Sequence, residues 1–332
     1  MRVVVVGATG NAGTSVVSAL AADGAVESIV GLARRPRGPA HPKVRWERAD
    51  VRLTDLTSAF AGADAVVHLA WLLQPSHREP HMRAVNVHGS RRVFAAAAGA
   101  GVKKLVYASS VGAYAAAPTG DRPLGESWPA TGIPSAFYGR HKALVEAMLD
   151  RFEAEHPQVR VVRLRPALIF KREAATAIRR YFVGPVVPPW AIRPGALPAV
   201  PWPAGLSFQA VHSDDIGEAY RLAVTDDRAR GAYNIAADPL IGPAEFAGLV
   251  DARIVEVPRR AVRAALDLSW RARLQATEPG WLDLAFGVPV MDTSRAREEL
   301  GWAPNVSALD ALAELLGGIP ARSGGATPVL AA

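Results

Sequence analysis

Tyr138 and Lys142 stand four residues apart in the segment YGRHK, ahead of an apolar series of Leu144, Val145, Met148, Leu149 and Phe152. The series has helical spacing, and on a helix residues four apart share a face. An ammonium beside a phenol favours the phenolate and lowers its pKa from about 10. Such a tyrosine can exchange a proton with a carbonyl or an alcohol near neutral pH. Upstream, Ser109 and Ser110 end the run LVYASS. A hydroxyl at the end of a neighbouring strand can hold the same substrate oxygen. A lone tyrosine and lysine at this spacing would ordinarily be a surface pair, so their meaning depends on the elements that position them.

Those elements begin with four consecutive valines, residues 3–6, which read as a buried parallel strand. Gly7, Gly10 and Gly13 follow, and Thr14, Ser15, Val16, Val17 and Leu20 begin a helical pattern. Gly7 permits the tight turn, Gly10 leaves the backbone open to a pyrophosphate, and Gly13 lets the helix lie close to the strand. The helix N-terminus offers free N–H groups and a positive dipole end to phosphate. Thr9, Asn11 and Ala12 complete the loop expected to face a dinucleotide. No Gly-Lys-Ser/Thr closes the loop, so it is not a P-loop.

Further strand signals fall at residues 28–33 (SIVGLA), 44–48, 65–70 (AVVHLA), 105–109 (LVYAS) and 159–164 (VRVVRL). Helical segments lie between them, for example at 83–99 and 136–155. The alternation predicts an α/β protein with a Rossmann-type, doubly wound parallel sheet. The second strand ends in Arg34 and Arg35. An acid near this point bonds the ribose hydroxyls of NAD, whereas arginine accommodates the 2′-phosphate of NADP. Two arginines and no acid make NADP(H) the expected cofactor and NAD(H) the alternative. Asp50 and Val51 follow the third strand, with Asp50 placed to accept from an adenine amino group; Leu69 and Ala70 end the fourth. His77 and His81 are also four apart, but Pro80 interrupts them and no carboxylate motif accompanies them. No metal site is expected.

The 332 residues are half apolar and 21% charged, an ordinary globular composition with length for about two domains. With no cysteine, disulfides and thiolate metal sites are excluded. The net charge of +7 does not point to nucleic acid, because the arginines are scattered and no basic run interleaves with aromatics. The four valines are too short for a signal peptide, and no stretch is long and apolar enough to span a bilayer. A cytoplasmic protein with a small-molecule substrate is expected, with no nucleic acid or membrane partner and with a homodimer left open. Residues 322–332 are small and are expected to be disordered.

The motifs GATGNAG, Asp50, HLA, VNVHGS at 85–90, YASSVGAY and YGRHK together resemble the extended short-chain dehydrogenase/reductase family, which includes the NAD-dependent epimerases and dehydratases. The resemblance continues through LRP at 164–166, VHSDDI at 211–216, GAYNIA at 231–236 and DTSRAREELGWAP at 292–304. It implies that Tyr138 is the acid/base, that Lys142 holds the nicotinamide ribose and that Ser110, with Ser109 as a substitute, binds the carbonyl. It further implies that Asn86 braces the sheet and that Pro166 passes near the nicotinamide amide. Residues 1–170 would form the dinucleotide-binding domain, with 207–236 returning to it. Residues 171–206 and 237–321 would form a smaller substrate-binding cap. Asp214 and Asp215 read as helix N-capping acids before Ile216 rather than as catalytic groups.

Three functions compete. The first is an NAD(P)-dependent oxidoreductase acting on a carbonyl or secondary alcohol. The second is a nucleotide-sugar epimerase or dehydratase that retains its cofactor, and the third a regulator that senses NADP(H) without chemistry. An apolar substrate is expected. Residues 184–205 hold seven prolines, Trp190, Trp202 and a single charge, Arg193, where a diphosphate would want several cations or free N–H groups. Trp71 and Leu72, just after the fourth strand, would face the same side.

Overall fold

The computed structural model describes residues 1–118, 122–183 and 188–331. Residues 184–187 of the proline-rich stretch and Ala332 of the tail lie outside the described residues.

Twelve strands are present among the described residues: β1 (Arg2–Val6), β2 (Ser28–Ala33), β3 (Val44–Arg48), β4 (Ala65–His68), β5 (Lys104–Ala108), β6 (Arg160–Pro166), β7 (Leu168–Phe170), β8 (Ala199–Pro203), β9 (Phe208–His212), β10 (Gly231–Ile235), β11 (Ala237–Ile241) and β12 (Arg253–Val257). Seven form one parallel sheet in the order β10-β6-β5-β4-β1-β2-β3. The valines of β1 are buried on both faces, as a central parallel strand requires. After β3 the chain returns to the other side of β1. The carboxyl ends of β1 and β4 therefore flank the point where the strand order reverses, and in open α/β sheets ligands bind in the crevice there.

The helix Asn11–Ala22 lies against β1 because Gly13 permits it. A Cβ on Gly13 would sit 2.4 Å from the Gly7 carbonyl oxygen. The helix Ser213–Thr225 packs on Asn11–Ala22 through a second close approach, since a Cβ on Gly217 would meet Ser15 O at 2.6 Å. The long helix Phe137–Glu155 covers the other face, burying Val145, Leu149 and Phe152.

Beyond Phe170 the alternation stops. Strands β11, β9 and β7 form a small sheet, and β12 pairs with β8. Of residues 207–236, the helix and β10 join the layers of the large sheet, whereas β9 belongs to the small one. The tail departs from the expectation of disorder. Leu330 is buried in a cluster with Ala174, Leu312 and Leu315, and Thr327 Oγ1 donates to Thr9 O at 2.8 Å.

Candidate active site

The glycine turn connects β1 to the helix Asn11–Ala22. Gly7 has φ +91° and donates its N–H to Leu32 O at 2.8 Å. A Cβ there would come within 2.6 Å of Ala70 N, so the turn lies directly on the Leu69–Ala70 backbone. Gly10 differs: an added Cβ would touch only Gly7 O, at 3.4 Å. Gly10 is also the N-cap, and among the described residues no side chain caps this helix. Open space and uncapped N–H groups at a helix start fit a dinucleotide diphosphate. Arg34 and Arg35 are exposed just past β2, and Arg35 reaches Pro328 O at 3.4 Å. Asp50 is engaged by Arg52 through both carboxylate oxygens, and these bonds hold its carboxyl at about 2. Val51 is buried nearby.

The loop after β5 carries the second cluster. Ser109 donates to Glu146 Oε1 at 2.5 Å, inside a buried group that also holds Arg163 and Arg165. Ser110 instead caps the next turn, accepting from Gly112 N at 3.0 Å, and lies beside Tyr138. Of the two serines, only Ser110 is brought to the tyrosine. Gly112 makes room for the Tyr138 ring, since a Cβ there would lie 2.8 Å from Cε1. Lys142 Nζ donates to Ala108 O at 2.6 Å and stands 3.6 Å from the Trp71 ring centroid and 5.8 Å from that of Tyr138. The Asn86 side chain clasps Leu72 by accepting from its N–H and donating to its carbonyl, each at 2.8 Å. Pro166 ends β6, next in the sheet to the strand that leads to Ser110.

The electrostatics correct one expectation. Burial pushes the Tyr138 phenol up to about 12, with Ser110 opposing. Burial likewise brings the Lys142 ammonium down to about 7, with Glu146 opposing. Proximity of the lysine does not outweigh desolvation, which disfavours both charged forms. In this state the cluster favours a protonated phenol.

Among the described residues, the indoles that meet the Tyr138 ring are those of Trp71 and Trp281. Trp202 is buried against Phe208 and Phe246 and donates to Leu206 O, so its indole is taken up by packing. Trp190 is 55% exposed. Trp281, which no sequence motif marks, takes their place. Its ring lies 5.3 Å from Tyr138, and that of Trp71 lies 6.1 Å from Tyr138. Asp215 is structural, accepting from Asn305 N and Val306 N, and Asp214 accepts from Ser15 Oγ. The cap of their helix is His212, whose Nδ1 accepts from Asp214 N.

Strand order and glycine turn together define a Rossmann-type α/β fold. The chain belongs to the NAD dependent epimerase/dehydratase family, whose model matches residues 3–236. It is similar to L-arabinose 1-dehydrogenase (NAD(P)(+)) of Haloferax volcanii, with 34% identity over 173 residues, 49% of this chain and 65% of that protein. A protein of Mycobacterium tuberculosis is 26% identical over 328 residues, 98% of this chain. The chain spans 31% of the length of that relative, about a third. Among solved structures, MoeE5 in complex with UDP-glucuronic acid and NAD superposes with a TM-score of 0.70 at 22% identity, covering 96% of this chain and 98% of that one. A UDP-glucose 4-epimerase of Thermus thermophilus complexed with NAD gives 0.69 at 21%, covering 96% and 99%. At these identities the structures establish the fold. Among the described residues, no helix is long and apolar enough to cross a membrane.

Proposed function

We propose that the protein is an NADP(H)-preferring oxidoreductase that interconverts an apolar carbonyl compound and its secondary alcohol. The observation that carries this reading is the assembly of Ser110, Tyr138 and Lys142 beyond the carboxyl end of β5, with the rings of Trp71 and Trp281 beside Tyr138. The dinucleotide supplies or accepts the hydride when bound. Ser110 Oγ holds the substrate oxygen, Tyr138 donates the proton to it, and Lys142 is the nearby cation that helps the phenol release it. The neutral phenol favoured in this state suits proton donation in the reducing direction. The two indoles beside Tyr138 suit an apolar group.

NADP(H) preference rests on Arg34 and Arg35, with no acid at the end of β2. A charge-assisted arginine–phosphate contact is worth roughly 1.5–3 kcal/mol, or about one to two decades in affinity. Titrating both cofactors by tryptophan fluorescence, then assaying a panel of ketones, aldehydes and nucleotide sugars, tests both halves. Tighter NADP(H) binding and turnover of apolar carbonyls are expected. Equal cofactor affinities would remove the arginine argument. Micromolar binding of a nucleotide sugar without net redox would favour an epimerase or dehydratase, and dinucleotide binding with no turnover would favour a sensor.

A further inference from the structure

The helix that carries Tyr138 begins without a cap of its own. Its N-cap residue is Ala136, which has no polar side chain to meet the first-turn N–H groups. The missing acceptor comes from the second domain: Glu278 Oε1 accepts from Phe137 N at 2.8 Å, across 141 residues of sequence. A carboxylate at this end also complements the helix dipole. Arg140 and Glu79 are the charged groups that act on it. Three residues on, Trp281 lies 5.3 Å from Tyr138 and 5.9 Å from Phe137, ring to ring. Between them, a Cβ on Gly280 would stand 2.1 Å from Ser135 O, so this segment meets the start of the helix backbone to backbone. Leu284 fixes the contact by packing with Ile133 and Ala136. Every one of these contacts converges on residues 133–138, the turn that aims the tyrosine.

We propose that Glu278 and Trp281 are positioning residues, through which the second domain sets the first turn of the helix Phe137–Glu155 and the orientation of the Tyr138 ring. The role rests on the reading of Tyr138 as the proton donor, but its test does not. In the full chain, Glu278→Ala, Glu278→Gln, Trp281→Ala and Trp281→Phe are compared by the rate at which tetranitromethane nitrates Tyr138, followed by peptide mass spectrometry. Cofactor affinity is measured alongside, with Tyr107 and Tyr114 as buried internal references. Glu278→Ala and Trp281→Ala are expected to nitrate at Tyr138 at least fivefold faster, with cofactor affinity within twofold of the parent. Glu278→Gln keeps an acceptor and Trp281→Phe keeps a ring, so both should stay within twofold. Unchanged nitration in both alanine variants overturns the proposal. So do equal rises at Tyr107 and Tyr114, which would mean general loosening, and failure of Glu278→Gln to restore protection. If Trp281→Ala does not fold, the Glu278 pair decides alone. Failure of the proton-donor reading is seen separately, as full turnover in Tyr138→Phe.

Discussion

At the glycine turn the chain works by leaving side chains out. Gly7 and Gly13 have no room for a Cβ because backbone already fills the space, and Gly10 has room that stays open. At the tyrosine pocket the chain works by crowding side chains in. Trp71, Trp281, Gly112 and Ser110 hold one phenol among them, and the lysine beside it is stripped of water. The turn is made by consecutive residues and needs little from the rest of the fold. The pocket draws on residues 71, 110–112, 138–142 and 281. A local device depends on backbone conformation, and a distributed one on tertiary packing, so substitutions should separate the two regions.

The largest effect belongs to the pocket. Tyr138→Phe is expected to lower turnover by about 10²–10⁴-fold, the range for loss of a positioned acid, while the glycine turn still binds cofactor. Steady-state rates and a cofactor titration on the same preparation check this. Near-normal turnover would take Tyr138 out of the mechanism and make the crowding merely structural.

Gly7→Ala tests the turn. The positive φ of +91° strains any L side chain, and the added methyl would meet Ala70 backbone at 2.6–2.8 Å. A left-handed conformation costs a non-glycine residue roughly 1–2 kcal/mol, and the clash adds to it. Loss of about 2 kcal/mol of stability or more, read by denaturant unfolding, should accompany weakened cofactor binding. Gly10→Ala should leave stability within about 0.5 kcal/mol, because its Cβ meets nothing closer than 3.4 Å. If both substitutions cost alike, the distinction between filled and open space at this turn is wrong.

The same contrast explains what the sequence made legible. The glycines, the strands 28–33 and 44–48, and the tyrosine–lysine pair could be read because each signal is local: a run, a turn or a helical spacing. Distinguishing Ser110 from Ser109 required Glu146, which claims Ser109 from 37 residues away. Trp202 misled because proline and tryptophan density marks an unusual loop without saying which way an indole points; Phe208 and Phe246 settle that. Trp281 and Glu278 carried no local signal at all, since one aromatic and one acid acquire meaning only against residues 135–138. The phenol pKa was misjudged for a related reason: spacing reveals a neighbouring charge but not the loss of water around both groups.

A last effect tests the pocket's surroundings through pH. His68 is buried at the end of β4, with Nε2 2.9 Å from Ser90 Oγ. Ser90 Oγ donates to Asn86 O at 2.6 Å, so His68 Nε2 is the donor to Ser90. Burial, aided by the Lys142 charge, lowers its pKa to about 3, against 6.5 when unfolded. Above pH 6.5 neither state holds the extra proton and stability is unaffected. Below 6.5 the unfolded chain takes up a proton that the folded chain refuses, so stability falls as pH falls, by about 1.4 kcal/mol per unit. At about pH 5 this amounts to roughly 2 kcal/mol from His68. His141, lowered to about 4 chiefly by burial, adds a loss of the same sign. Denaturant unfolding at about pH 7 and about pH 5 should show the fall, and His68→Gln should remove His68's share by deleting its titration. Glycine-turn variants should keep the full pH dependence, because no titrating group lies in that turn. An unchanged slope in His68→Gln would mean that water reaches the ring, and that the strand end beneath the pocket is less closed than its packing indicates.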